Sequence, residues 1–388
     1  MNIFLQIILW LSIFLIFHTY VGFPFLLFLL KRKKSRKTIE NIDFQEVTIL
    51  MSLYNEESVI AQKLDSIVHS DYPSEKIFLL IGSDHSDDHT NEIVERYTTR
   101  YPNITFHSYD ERRGKCNVIN QLMKEVTTDF VIFTDANVLF TPQTISELMK
   151  GFSDPEVGLV DSNMQNTGIK EDGISIPERA YISREVRIKN SEGVLWGTMM
   201  GPFGGCFALR KELYRPIPQN FMVDDFFICM KVLALGKDAI NNVNAVVYED
   251  VSNNLSDEFR RKIRIATGDF QNLFYFSPML CSPRKGLSFC FLSHKVLRWF
   301  TPLLLIFYYI ANLFLLFESP FYLTIFILFN ALLLLIPLDF LLKRRGIHCK
   351  ILRFITHFFS MNIALLVGMV HAMQGVESAV WKPTARNQ

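Results

Sequence analysis

The chain has 388 residues, 49% of them hydrophobic, a mean hydropathy of +0.18, and a net charge of +1 from 40 basic and 39 acidic residues. That apolar share is too high for an ordinary soluble domain, and cations gathered at apolar borders and in one helix exclude a nucleic-acid-binding surface. Six cysteines without CxxC or zinc-ligand spacing exclude a zinc module and read as reduced, mostly buried thiols.

Residues 3–30 form an almost unbroken apolar run, long enough to cross a bilayer as a helix. The basic cluster Lys31-Arg32-Lys33-Lys34-Ser35-Arg36-Lys37 follows the run instead of preceding it. Residues 1–30 therefore read as an uncleaved transmembrane helix that leaves the next segment in the cytoplasm. From 41 to 277, strand-like and helix-like stretches alternate. The pattern predicts strands at 47–53, 77–82, 104–108 and 130–134, and helices at 56–69, 90–100, 115–126 and 142–152. Shorter strands are predicted at 157–160, 207–209 and 243–248. Alternation of this kind predicts an α/β domain on a doubly wound, mostly parallel sheet. A cationic helix opens at Ser256, with Asp257 and Glu258 in its first turn and Arg260, Arg261, Lys262 and Arg264 behind them. Residues 278–298 read as an interfacial connection. Segments 299–317, 320–342 and 351–373 are each apolar and long enough to span, giving a C-terminal membrane region over 299–373 and a tail over 374–388. Lys343-Arg344-Arg345 marks a cytoplasmic loop, so three literal spans would leave the tail outside.

Four polar clusters carry the chemistry. Ser83-Asp84-His85-Ser86-Asp87-Asp88 and Asp135-Ala136-Asn137 each follow a predicted strand, the edge of an α/β sheet where ligands bind. Asp135 and Asn137 offer hard oxygens to a divalent cation, Mg2+ or Mn2+, held against phosphate oxygens; the alternative is a strand-end Asp that only caps a turn. Asp84 is the candidate acceptor for a ribose or base hydrogen bond, whereas Asp88 reads as an N-cap. In Asp224-Asp225, one carboxylate can cap the following helix while the other faces a cleft and takes a proton from an attacking hydroxyl. Arg260, Arg261 and Arg264 have i, i+3 and i, i+4 spacings, so their guanidiniums can share a face suited to a leaving diphosphate. Lys262 reads instead as a contact for anionic lipid. Arg113-Gly114-Lys115 lacks the rest of a P-loop, and 201–205 is not a dinucleotide fingerprint, which weakens kinase and dehydrogenase readings.

In order, these residues resemble family 2 glycosyltransferases, the membrane-embedded group that includes cellulose, hyaluronan, chitin and poly-N-acetylglucosamine synthases. Ser52 to Glu57, with Asn55 and Glu56, is similar to the opening strand-loop, Ser83 to Asp88 to the nucleotide-contacting turn, and Arg113-Gly114-Lys115 through Asn120 to the G-K-x-x-x-x-N segment. Asp135-Ala136-Asn137 matches the DxD position, Val223-Asp224-Asp225 the T-E-D motif, and Arg261 to Arg264 the Q-x-x-R-W motif. The departures are Asn137 for Asp, Asp224 for Glu, and a missing Gln and Trp, since Ile265 stands where a sugar-stacking ring would be. Arg298-Trp299 could supply that ring, although an interfacial Trp is usually an anchor. Trp381 lies in a tail similar to the W-G-T-R endings, which face the cytoplasmic site.

The resemblance implies a cytoplasmic GT-A domain, a nucleotide-sugar donor, most simply UDP-linked, and a divalent metal. It implies Asp225 as base, Asn55, Glu56, Asp84, Lys115, Asp135, Arg261 and Arg264 toward the donor, and Asp224 and Trp381 toward the acceptor. The expected product is a β-linked polysaccharide, with room for an accessory export subunit. The alternatives are a glycolipid enzyme acting on ceramide or diacylglycerol and an inactive membrane scaffold.

Overall fold

The computed structural model describes residues 2–32, 44–168, 174–250 and 254–376. The basic run beyond Arg32 and the tail residue Trp381 lie outside the described residues.

Strands β1 (Val47–Leu53), β2 (Ile77–Ser83), β3 (Ile104–Ser108), β4 (Phe130–Thr134), β5 (Val138–Phe140), β6 (Val157–Thr167), β7 (Cys206–Arg210) and β8 (Asp238–Asp250) form one sheet in the order β3-β2-β1-β4-β7-β6-β8-β5. The β1–β2, β2–β3, β1–β4 and β6–β8 pairs are parallel. Antiparallel β7 joins β4 to β6, and β5 pairs antiparallel with β8, so the sheet is mixed rather than purely parallel. Central strands read as continuous apolar runs because helices cover both faces: Val47, Ile49, Leu50, Met51 and Leu53 are all buried.

The predicted strands and helices of the first half occupy their expected places. The helix predicted at 56–69 begins later, as α2 (Ile60–Val68), and the Glu56 N–H ahead of it donates to Thr90 Oγ1. Helices α3 (Thr90–Arg100), α4 (Lys115–Leu122) and α5 (Thr144–Lys150) follow. The reading missed α6 (Ser175–Trp196), a 22-residue helix. After it come α7 (Asp224–Ala234) and α8 (Leu255–Phe276); α8 is capped by Asn254, which accepts from Ser256 N, and not by Ser256.

Among the described residues, three helices are long and apolar enough to cross a membrane: Asn2–Lys31 (α1), Pro320–Arg344 (α11) and Lys350–Gln374 (α12). Leu287–Trp299 (α9) and Thr301–Leu315 (α10) form a pair bent by 61°, so the segment expected to span at 299–317 is the 15-residue second arm of that pair. Pro302 in the first turn of α10 and the burial of Leu287, Phe291 and Trp299 in the same core as the sheet explain the break. Helix α12 lies tightly on α8 at Gly368, where a Cβ would come within 2.4 Å of Ala266 Cβ and 2.9 Å of Ile263 O. That close approach fastens a span-length helix to the helix bearing Arg261 and Arg264.

Candidate active site

Six of the residues singled out in sequence meet in one cleft of about 210 Å³: Lys115, Asp135, Asp224, Asp225, Arg261 and Arg264. Topology brings them there. Asp135 ends β4, Lys115 opens α4, the two aspartates open α7, and the arginines lie one turn apart on α8. Lys115 Nζ is 2.9 Å from Asp135 Oδ1 and 3.3 Å from Asp224 Oδ2. Burial opposes its charge, but the two carboxylates outweigh burial and hold the ammonium well above its ordinary range.

Asp224 does not cap α7. The residue before the helix is Val223, with no side-chain cap, and Asp225 Oδ1 accepts the Phe226 N–H at 2.7 Å. Burial, then the neighbouring Asp224 charge, push the Asp225 carboxyl up to about 7 against the pull of Lys115. Its other oxygen packs on the 201–205 loop: a Cβ at Gly204 would lie 2.7 Å from Asp225 Oδ2. Gly204→Ala is therefore expected to displace the carboxylate and lower kcat by roughly 10- to 100-fold with little change in the unfolding temperature. Steady-state kinetics beside a melting curve check this, and unaltered kcat would refute it.

The arginines divide. Arg260 is 76% exposed and pairs with Asp257, so it does not share the cleft face. Arg261 faces Glu258 at 3.5 Å and Glu249 at 3.7 Å, and these acids hold its guanidinium above its usual value. Burial and then Arg261 push Arg264 down; its Nη1 donates to Met222 O at 3.4 Å. Lys262 pairs with Glu178 at 2.9 Å and Glu258 at 3.2 Å, so its ammonium is already matched by two carboxylates.

Other expected residues stand apart from the cleft lining. Asn55, at φ 53°, exchanges side-chain and backbone hydrogen bonds with Asp87, which ties the ends of β1 and β2 together. Glu56 is buried beside Thr90. Asp84 is 2% exposed and accepts from Arg113 N at 2.6 Å, Gly114 N at 2.9 Å and Arg112 Nε at 3.2 Å. Its oxygens shape the loop ahead of Lys115 instead of standing open to a ribose. Asn137 turns from the cleft and donates to Glu249 Oε1 at 3.0 Å. Asp88 accepts from Thr90 N at 2.9 Å, but the N-cap position of α3 is His89, so Asp88 lies one residue ahead of the expected cap.

Residues 48–217 match the family model for glycosyl transferase family 2. The chain carries a family 2 glycosyltransferase domain. It is similar to a poly-beta-1,6-N-acetyl-D-glucosamine synthase of Staphylococcus epidermidis, 25% identical over 167 residues, which are 42% of this chain and 40% of that one. A second synthase of that name, from Staphylococcus aureus (strain COL), is 29% identical over 131 residues, or 33% of this chain and 31% of its own. The chain thus spans less than half the length of these curated relatives. Among solved structures, a mannosyltransferase from Pyrobaculum calidifontis in complex with GDP-Man and Mn2+ superposes with a TM-score of 0.72 at 23% identity, covering 94% of this chain and 99% of the other. The fold is GT-A.

The cleft and its surroundings also hold residues that the sequence pattern did not single out. Helix α6 turns Glu178, Ile182, Glu185 and Lys189 toward the cleft at helical spacing. Lys189 Nζ meets Asp161 Oδ2 at 2.6 Å, and Asp161 Oδ1 accepts from Phe203 N at 3.1 Å, so this buried pair holds the loop behind Asp225. Lys63, fully buried, donates to Thr134 Oγ1 at 2.8 Å and Val138 O at 2.5 Å beneath the Asp135 turn; burial lowers its pKa to about 7. Burial raises Asp269 to about 8, with Lys295 opposing. Trp299 is 5% exposed, packs edge-on to Phe226 with ring centroids 5.5 Å apart, and lines the cleft. It places an aromatic ring in the cleft wall, on the side where Ile265 supplies none.

Among the described residues, no three His, Cys, Asp or Glu side chains converge to hold a metal by themselves. Asp135, 36% exposed and lining the cleft, fits a cation only in the manner of sites completed by substrate phosphates.

Proposed function

We propose that this glycosyltransferase moves a sugar, in one inverting displacement, from a nucleotide diphosphate donor, most simply UDP-linked, to an acceptor oxygen brought to Asp225. The observation that carries the reading is a carboxyl poised near pH 7 in a cleft with Lys115 and Arg264. Asp225 takes the acceptor hydroxyl proton as the new bond to the anomeric carbon forms and the bond to the diphosphate oxygen breaks. Lys115 and Arg264 offer positive charge to the departing diphosphate. Asp135 would hold a divalent metal, Mg2+ or Mn2+, which when bound neutralises phosphate charge. Asp224 positions Lys115, and Trp299 supports an apolar floor for the acceptor sugar.

The named relatives favour a β-linked polysaccharide as product. Incubating membranes containing the protein with a panel of labelled nucleotide sugars, and sizing the products, tests both donor and acceptor: a ladder of long glycan supports polymerisation, a single lipid-mobile species supports a glycolipid, and absence of any transfer or donor hydrolysis overturns the reading.

The catalytic domain faces the cytoplasm in this proposal. Natural glycosylation sequons are poor reporters, since Asn103 donates to Ile77 O and Asn254 caps α8. Cys281 is exposed and offers a better one. A membrane-impermeant maleimide is expected to leave Cys281 unmodified in intact cells and to modify it after permeabilisation, with Cys281→Ser as the control; labelling in intact cells refutes the orientation. The 61° bend between α9 and α10 suits a re-entrant element, which would return the tail to the cytoplasmic side.

A further inference from the structure

Behind the catalytic cleft lies a second chamber of about 330 Å³, bounded by α1, α6, α8 and α12. The two spaces share a wall that includes Tyr181, Ile265, Asp269, Arg298 and Trp299. Its far side is apolar, formed by Phe354, Phe358, Met361 and Leu365 of the span-length helix α12. Its near end is cationic. The guanidiniums of Arg184 and Arg298 both lie by the Tyr20 ring, at 6.0 and 5.9 Å from its centroid.

Charge there does not balance. Arg298 Nη1 is 2.7 Å from Glu185 Oε2, while Glu178 holds both Lys262 and His357, at 2.9 and 3.2 Å. Arg184 has no hydrogen bond or salt bridge among the described residues, although it lines the chamber. Arg184, exposed and without a carboxylate partner among the described residues, and Arg298, paired with Glu185, leave a positive charge at the polar end of an apolar space, where burial pushes the Asp269 carboxyl toward its neutral form. An acyl chain matches the α12 wall, and a phosphate matches the planar donors of Arg184 and Arg298.

We propose that this chamber binds a membrane lipid with an anionic phosphate headgroup, the phosphate at Arg184 and Arg298 and an acyl chain along α12. The headgroup would then stand at the wall shared with Asp225, on the side from which an acceptor is presented. The inference rests on the proposed function for that presenting role, whereas the binding itself does not depend on catalysis.

The test uses the purified full chain in neutral nanodiscs and measures affinity for dioctanoylphosphatidic acid, for dioctanoylglycerol and for inorganic phosphate. Phosphatidic acid is expected to bind at least about tenfold more tightly than the diacylglycerol, and millimolar inorganic phosphate is expected not to displace it. Arg184→Gln should remove that selectivity while leaving diacylglycerol affinity and the melting temperature unchanged. Met361→Trp, which fills the chamber, should weaken both lipids. Equal binding of the two lipids, displacement by free phosphate, unaltered selectivity in Arg184→Gln, or unaltered lipid affinity in Met361→Trp would each overturn the proposal. Asp225→Asn separates the two readings: donor turnover that persists in that variant counts against the catalytic assignment alone, whereas lost lipid selectivity in an enzyme that still hydrolyses donor counts against the lipid site alone.

Discussion

Asp225→Asn is expected to lower turnover by about 10² to 10⁴ while leaving donor affinity nearly unchanged. The amide keeps an oxygen for the Phe226 N–H, so α7 retains its first-turn contact. What it loses is the ability to accept a proton. Because burial and Asp224 place the carboxyl near 7, a second result is expected from the wild-type enzyme. Only the ionised form is a base, so kcat/KM should fall about tenfold per pH unit below 7 and level off above it. This acid limb should vanish in the variant. Asp224→Asn should act differently, since it frees Lys115 from one of two carboxylates and lowers the Asp225 pKa by removing a neighbouring negative charge; the limb should move to lower pH. A purified Asp225→Asn enzyme with near-normal turnover and intact donor binding would remove the core of the mechanism.

Asp135→Ala should abolish the metal-dependent part of donor binding, a weakening of roughly 10- to 100-fold in a calorimetric titration. The carboxylate would anchor one face of the proposed cation site, and it holds Lys115 at 2.9 Å, so the variant releases that ammonium toward Asp224. Donor affinity should then respond little to EDTA. Activity that survives both EDTA and the substitution would show that no metal acts at Asp135. The companion change Asn137→Asp reads from sequence as neutral or strengthening, because it restores a second carboxylate. The structure reverses that expectation: the Asn137 amide donates to Glu249 at 3.0 Å, and an aspartate there would face a like charge. Without added cation the variant should be less stable, by about 1–3 kcal/mol. A higher unfolding temperature in metal-free buffer would contradict this.

Legibility in the sequence followed the kind of force involved. Strands β1, β2 and β4 were readable because nearly all their residues are buried by apolar packing, and β-branched and aromatic runs say so locally. Helix α6 was not. Its buried residues interleave Glu178, Glu185, Lys189 and Glu192, which find partners on β6, α8 and α9, with the apolar Ile182, Val186, Ile188 and Leu195. A search for apolar periodicity finds no unbroken apolar face there. The signal that existed was charged residues at 178, 185, 189 and 192, spaced by two turns and then by one turn each.

By itself, the chain's sequence determined the α/β alternation, the strand-end placement of Asp84 and Asp135, the acidic start of α7, the arginines of α8, and the apolar lengths of α1, α11 and α12. All of these are local properties of composition and spacing. Tertiary structure decided which groups face one another. It turned Asp84 into a brace for the 112–114 loop and Asn137 toward Glu249, set Lys115 between two carboxylates, and sent Arg260 outward while Arg261 and Arg264 point in. It also carried Trp299 from a presumed membrane border into the cleft, where Ile265 leaves no ring. The physical reason is that hydrogen-bond partners and desolvation are set by contacts between elements distant in sequence, which residue spacing does not encode.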